Sequence, residues 1–363
     1  MKELLWGTRP EDGDGAEPHP FVAGTYDPFA PPAPSVSLDL RAYIQILRKA
    51  RYLTQVRERV DWKLGIGRWT RSRQKPLLFE NVKDYPEHRV FTNGLANPLC
   101  IALALGFDAG TPIGRVIAQA RKRLKEPIAP RMVPTGPVME NVVPASVLDF
   151  AQFPMPQWNE QDRGRYLGTW HLNISHDPET GRRGIGMYRM RAIGPRHATI
   201  NAPKRSTLAR QMAKAEAKKM ELPMAVAIGA PEATAIAARA VCPAGMDAFD
   251  LAGALQQRPV ELMLCGHVEA PAHAEILIEG FVHPEKRVED GPYFDYHGRP
   301  KTNPKAYLFE ATRIMHRDDP IFRGSTLGKP GAEDYQVQEF LEELNLPHPG
   351  ESRLWHFMHT LFS

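Results

Sequence analysis

Apolar residues first recur at helical spacing after position 38. Leu40, Tyr43, Ile44 and Leu47 fall on one face, and Asp39 stands where an N-cap belongs. The apolar runs 77–79 and 90–92 predict short buried strands, and Val116, Ile117, Ala120 and Leu124 predict a helix over 111–125. Beyond a proline-rich crossing segment at 127–144 the pattern turns mostly to strands, at 172–174, 186–193, 224–228, 260–265, 276–280 and 307–315. Helices are predicted at 206–220 and 231–239. Many short strands with glycine-rich turns and few helices point to a barrel or split sheet. No repeat appears at solenoid periods.

Residues 7–34 contain seven prolines and cannot form a helix. Proline is also the outlier of the whole chain, 34 of 363 residues, roughly 9% against a usual ~5%. It predicts short elements and long ordered loops. A length of 363 residues, at about 150 per domain, predicts two or three domains and a large core. The balance of 46 basic against 42 acidic residues gives only +4, too little to argue for nucleic acid or an acidic membrane surface, and no nucleic-acid partner is expected. No stretch approaches a membrane span and no signal peptide is visible. Cys100, Cys242 and Cys265 are odd in number and widely spaced, so a reducing, cytoplasmic compartment is expected.

Few motifs name a chemistry. Gly181-Arg182-Arg183-Gly184-Ile185-Gly186 lacks both the P-loop ending and the third fingerprint glycine, and after Asp177-Pro178-Glu179-Thr180 it reads as a hairpin turn. His171, His176, His197, His267 and His273 lack HExxH spacing. The basic residues of 111–125 read as a solvated helix face. Glu289, Asp290 and Asp295 bracket Gly291-Pro292, a turn able to present carboxylates to one pocket. Neighbouring carboxylates perturb each other and suit one of them for proton donation. Arg189, apolar-flanked in Gly186-Met187-Tyr188-Arg189-Met190, is expected to be buried and so to need an anionic partner.

At these residues the chain resembles the UbiD family of decarboxylases, from Leu38 to about Tyr335. The similar blocks are Asp39-Leu40-Arg41-Ala42-Tyr43-Ile44, Pro76-Leu77-Leu78-Phe79-Glu80-Asn81-Val82-Lys83 and Asp162-Arg163-Gly164-Arg165-Tyr166-Leu167-Gly168-Thr169. They continue in Asp177-Pro178-Glu179-Thr180-Gly181-Arg182-Arg183, Gly186-Met187-Tyr188-Arg189, Pro271-Ala272-His273-Ala274-Glu275-Ile276 and Gly291-Pro292-Tyr293. The resemblance implies an α/β (α+β) chain: a Pro-rich segment over 1–36, an N-terminal α/β domain over 37–134, a flavin-binding-like split β-barrel over 135–325, and a tail over 326–363, with the family's usual C-terminal oligomerisation domain expected to be absent. It implies prenylated FMN, supplied by a partner flavin prenyltransferase, and decarboxylation or carboxylation of an aromatic or α,β-unsaturated acid, in a homo-oligomer or a hetero-complex.

Carried over residue by residue, the resemblance makes Asp295 the proton donor. Arg189 becomes the partner of the substrate carboxylate, Asp290 the acid that tunes Arg189, and Thr169 a flavin contact. The family's divalent metal and potassium at the flavin phosphate are not matched. Gly184 stands for its metal-site Asn, Ala248 for its Glu with Asp247 adjacent, and Arg205 or Lys204 for its His. Loss of these oxygen and nitrogen ligands predicts no metal residues. Lys204, Arg205 and Arg210 are instead expected to hold any flavin phosphate directly. The alternative implied is an accessory subunit acting within a hetero-complex.

Overall fold

The computed structural model describes residues 39–243, 245–294, 299–327 and 332–346. The segment 1–36, Asp295 and the tail beyond 346 lie outside them. Within the described chain the first helix, Leu40–Lys49, starts where the pattern places it. The Asp39 side chain accepts from the Ala42 N–H at 2.7 Å, and Leu40, Tyr43, Ile44 and Leu47 are buried. Arg48 and Lys49 lie in its last turn, at the negative end of the helix dipole.

A four-stranded sheet follows in the order Thr54–Val56, Leu77–Phe79, Arg89–Thr92, Ile321–Arg323. Its last strand comes from the far end of the described chain and pairs in parallel, Phe322 opposite Val90. The main sheet has nine strands, and its pairings are antiparallel. Its order runs Tyr166–Gly168, Met190–Ala192, His197–Ile200, Pro300–His316, Ile276–Phe294, Leu222–Ile228, His171–His176, Arg183–Gly186, with Asn141–Pro144 beside Pro300–His316. This sheet curls into a half-barrel, so the molecule is mixed α/β.

The central strands are apolar on both faces because both are covered. In Leu222–Ile228, Met224, Val226 and Ile228 enter one hydrophobic cluster, while Ala225 and Ala227 enter the other. Each large side chain so buried stabilises by about 1.5–3 kcal/mol before entropy is charged against it. The helix Thr207–Ala217 covers the first cluster with Leu208, Met212 and Ala215, and the helix Ala248–Gln256 sits in the second.

Two expectations change. The strand expected at 186–193 is two, Arg183–Gly186 and Met190–Ala192. Between them the Tyr188 N–H donates to the Asn173 side-chain oxygen at 2.9 Å instead of to a strand. The strands expected at 276–280 and 307–315 extend into one long hairpin, Ile276–Phe294 with Pro300–His316. Register shifts at Glu279/Gly280, between Val282 and Arg287 and between Val288 and Asp290 let it continue through Pro284-Glu285-Lys286, where apolar alternation stops. The segment 177–182 turns the hairpin joining His171–His176 to Arg183–Gly186, Asp177 N–H donating to Arg182 O at 2.9 Å.

Candidate active site

Strand order decides where the site lies. Tyr166–Gly168 opens the sheet path and Arg183–Gly186 closes it, yet the chain passes directly from Tyr166–Gly168 to His171–His176 and from Arg183–Gly186 to Met190–Ala192. Both short connections therefore cross the seam of the half-barrel. One carries Thr169 and the other Arg189. Both residues line a small cavity with Trp158, Asn159, Asp162 and Tyr166. The Thr169 hydroxyl accepts from the Ser325 N–H at 2.9 Å, tying residues 325–327 to the cavity wall.

Arg189 is half-buried rather than buried. It donates to the Phe294 carbonyl at 2.5 Å and lies 4.8 Å from the Tyr293 ring centroid and 5.5 Å from that of Tyr166. Beside it are the Asp162 Oδ1, the Tyr166 hydroxyl and the Trp158 indole N–H, all buried with no hydrogen-bond partner among the described residues. Burial pushes the Asp162 carboxyl up, and the Arg189 charge opposes that shift. Burial also pushes the Tyr166 phenol up. A cation flanked by aromatic faces and unpaired polar atoms is suited to an aromatic ligand bearing a carboxylate.

Asp290 is fully buried and does not engage Arg189. Its carboxylate lies 2.5 Å from the Arg191 Nε and also accepts from the Asn201 side-chain amide. Arg191 further donates to the Glu289 carbonyl at 3.0 Å, and Asn303 donates to the Asn201 side-chain oxygen at 2.8 Å. The sequence reading thus assigned burial and the acid partner to the wrong arginine. Arg191 is as apolar-flanked, by Met190 and Ala192, as Arg189, and that was the available signal. Gly291, which follows Asp290, has φ +114°, and a Cβ there would meet the Lys301 carbonyl oxygen at 2.7 Å. The proposed proton donor, Asp295, lies outside the described residues.

The second concavity is a cleft of about 650 Å³ between the strand Arg183–Gly186 and the helix Thr207–Ala217. Among the described residues five arginines line it: Arg182, Arg183, Arg205, Arg210 and Arg239. Lys204 is exposed and is not among its lining residues. Arg205 and Arg210 are among them, and Arg210 donates to the Arg205 carbonyl at 2.6 Å.

The donor set does not suit a divalent cation. Gly184 and Ala248 offer no side-chain donor, and a Cβ at Gly184 would stand 2.4 Å from the Gln211 amide nitrogen. Asp247 accepts from Arg183 at 2.5 Å and from the Phe249 N–H at 2.7 Å, capping the helix Ala248–Gln256. Among the described residues no three His, Cys, Asp or Glu side chains converge as a metal cage. An elongated organic anion does suit the cleft: its volume lies within the ~300–1,000 Å³ usual for small-molecule sites.

Two family models match the chain. The 3-octaprenyl-4-hydroxybenzoate carboxy-lyase Rift-related domain of UbiD covers residues 131–330, and the N-terminal domain of the same carboxy-lyase covers residues 44–119. Pyrrole-2-carboxylic acid decarboxylase of Pseudomonas aeruginosa is 31% identical over 83% of this chain, which spans only 64% of that relative's length. Vanillic acid decarboxylase of Sedimentibacter hydroxybenzoicus superposes with a TM-score of 0.79 at 27% identity, over 84% of this chain and 67% of that one. An evolved dimeric form of the UbiD-class enzyme HmfF from Pelotomaculum thermopropionicum, solved with prFMN, gives 0.76 at 28% identity, over 85% of this chain and 71% of that one.

Proposed function

The chain belongs to the UbiD family, and we propose that it is a decarboxylase, or in reverse a carboxylase, of an aromatic or α,β-unsaturated acid that uses prenylated FMN. The observation carrying this reading is the seam itself. Thr169 and Arg189 reach one cavity from two connections that the sheet topology forces across the barrel opening. The named relatives, decarboxylases of pyrrole-2-carboxylic and vanillic acids, support an aromatic acid as the substrate class.

In this reading the Arg189 guanidinium pairs with the substrate carboxylate, and the Tyr166 and Tyr293 faces orient the ring. Prenylated FMN, when bound, supplies an electron sink for the charge left as CO2 departs. Asp295 then delivers the proton to the carbon that lost its carboxylate. The Asp290–Arg191 pair acts at one remove by fixing the strand end and turn that lead to residue 295. Thr169 holds residues 325–327 against the cofactor space. A flavin prenyltransferase supplies the cofactor, and assembly as a homo-oligomer or within a hetero-complex is part of the proposal.

An accessory role is the second reading, favoured by the missing donor atoms at Gly184 and Ala248. One experiment separates the two. The chain is co-produced with a flavin prenyltransferase, the extracted cofactor is identified by mass spectrometry, and CO2 release is followed across a panel of aromatic acids. Prenylated FMN with CO2 release supports the enzyme. Prenylated FMN with no turnover of any acid supports the accessory subunit.

A further inference from the structure

We propose that the 650 Å³ cleft is a metal-independent binding site for a phosphate monoester, and that the buried guanidinium of Arg239 is its principal anion ligand. Among the described residues five arginines and two aspartates line the cleft, and both aspartates are already engaged. Asp177 accepts from the Lys214 ammonium at 2.8 Å, and Asp247 accepts from Arg183 at 2.5 Å. Arg183 is further neutralised by Glu269 at 3.4 Å. Arg182, Arg205 and Arg210 are exposed and can be solvated.

Arg239 differs from all of these. It is only 8% exposed, and its Nε and one terminal nitrogen have no hydrogen-bond partner among the described residues. The Trp170 ring centroid lies 5.6 Å from its guanidinium carbon. A guanidinium cannot shed its proton to escape burial, so a buried one is costly until an anion meets its planar fork. Phosphate matches that fork bidentately. Across the cleft the helix Thr207–Ala217 begins, with Ser206 and Thr207 in the lining and the Ser206 hydroxyl accepting from the Ala209 N–H at 3.2 Å. Its positive end faces the same space as the arginines.

The rest of the lining sets the ligand's class. Ile185, Met187, Ala240 and Val241 give the cleft an apolar wall. The volume far exceeds a bare phosphate, so the anion is carried on an elongated organic body. Only the identification of that body as a flavin mononucleotide rests on the function proposed above. The site therefore replaces a cation bridge with fixed guanidinium charge.

Titration of the full chain with FMN, by calorimetry in EDTA and again in excess Mn2+, tests this. Binding is expected to be the same in both buffers, with inorganic phosphate competing. Arg239→Met should weaken FMN by about 10- to 100-fold, the loss of one or two charge-assisted bonds. Arg239→Lys, which keeps the charge without the fork, should fall between. A thermal melt supplies a readout that a merely structural arginine would not give. Ligand-free Arg239→Met should melt no lower than wild type, since it removes a buried unpaired charge, while the rise caused by saturating inorganic phosphate disappears. Binding of FMN that demands Mn2+ would overturn the proposal, as would absence of both FMN and phosphate binding in EDTA. So would a folded Arg239→Met that keeps wild-type affinity or the full phosphate-induced rise. If only Arg239→Lys folds, unchanged affinity in that variant does the same. A protein that binds FMN in EDTA yet decarboxylates nothing keeps the site and fails the proposed function, and Mn2+-dependent binding with turnover does the reverse.

Discussion

The Asp290 carboxylate stands 2.5 Å from the Nε of Arg191, a buried ion pair that joins the strand Met190–Ala192 to the end of the strand Ile276–Phe294. In the proposed function this pair fixes the strand end that leads toward residue 295, while Arg189 lines the cavity. Arg191 is paired with an acid inside the fold, and Arg189 is the arginine proposed to meet substrate.

Breaking that pair from one side should be severe. Arg191→Met leaves the Asp290 charge buried with, among the described residues, only the Asn201 amide to answer it, and such losses run at about 3–5 kcal/mol. Urea denaturation of Arg191→Met, Asp290→Asn and the double variant measures the coupling. The double variant should be more stable than the sum of the single losses implies, and strict additivity would dissolve the pair.

Restoring a ligand atom at residue 184 should harm the protein rather than create a metal site. An Asn side chain there drives its Cβ to 2.4 Å of the Gln211 amide and 2.7 Å of the Thr207 methyl. Gln211 is not free to leave, because its oxygen accepts from the Ser175 hydroxyl at 2.6 Å. Gly184→Asn is expected to lose about 1–3 kcal/mol from overpacking and to bind no manganese by elemental analysis. Undiminished stability with stoichiometric manganese would contradict this.

Acid should weaken the cleft wall through Glu269. Its hydrogen bond to His176 at 2.8 Å, with Arg183 adding to it, holds the carboxyl at about 2 instead of 4.5. The folded value lies below the unfolded one, so the native state binds fewer protons in between. The stabilisation is therefore complete above about pH 4.5 and is lost as pH falls toward about 2. Melting temperature against pH should be shallower over that window in Glu269→Gln than in wild type. Parallel acid limbs would show that the contact does not form.

The sequence was most legible where period and capping agree. The helix Leu40–Lys49 follows from its four apolar positions and Asp39, and the strand Leu77–Phe79 from a run bounded by polar residues. The long hairpin was under-read because Pro284, Glu285 and Lys286 interrupt alternation while bulges carry the pairing past them. Buried charge was the main blind spot. Arg323, 2% exposed, binds Glu333 at 2.6 Å and Glu232 at 2.8 Å, and Glu232, 91 residues away in sequence, gives no local sign of meeting it. Arg191 and Arg239 were hidden for the same reason: charged residues on short elements look solvated until topology puts them inside. Thr169 stands out only through the family resemblance and Arg189 already through its apolar flanks, but the strand order that brings them to one seam is a global property of the sheet.

The central claim, that Arg189 at the barrel seam serves decarboxylation, is tested most directly by CO2 release from aromatic acids. Wild type and Arg189→Ala are compared after co-production with a flavin prenyltransferase and matching for cofactor content. Arg189 is half-buried and holds one backbone carbonyl at 2.5 Å, so the variant should fold. Losing the pairing with the substrate carboxylate is expected to lower the rate at least ~100-fold, the equivalent of about 3 kcal/mol. Undiminished CO2 release from a folded, cofactor-loaded Arg189→Ala would contradict the account.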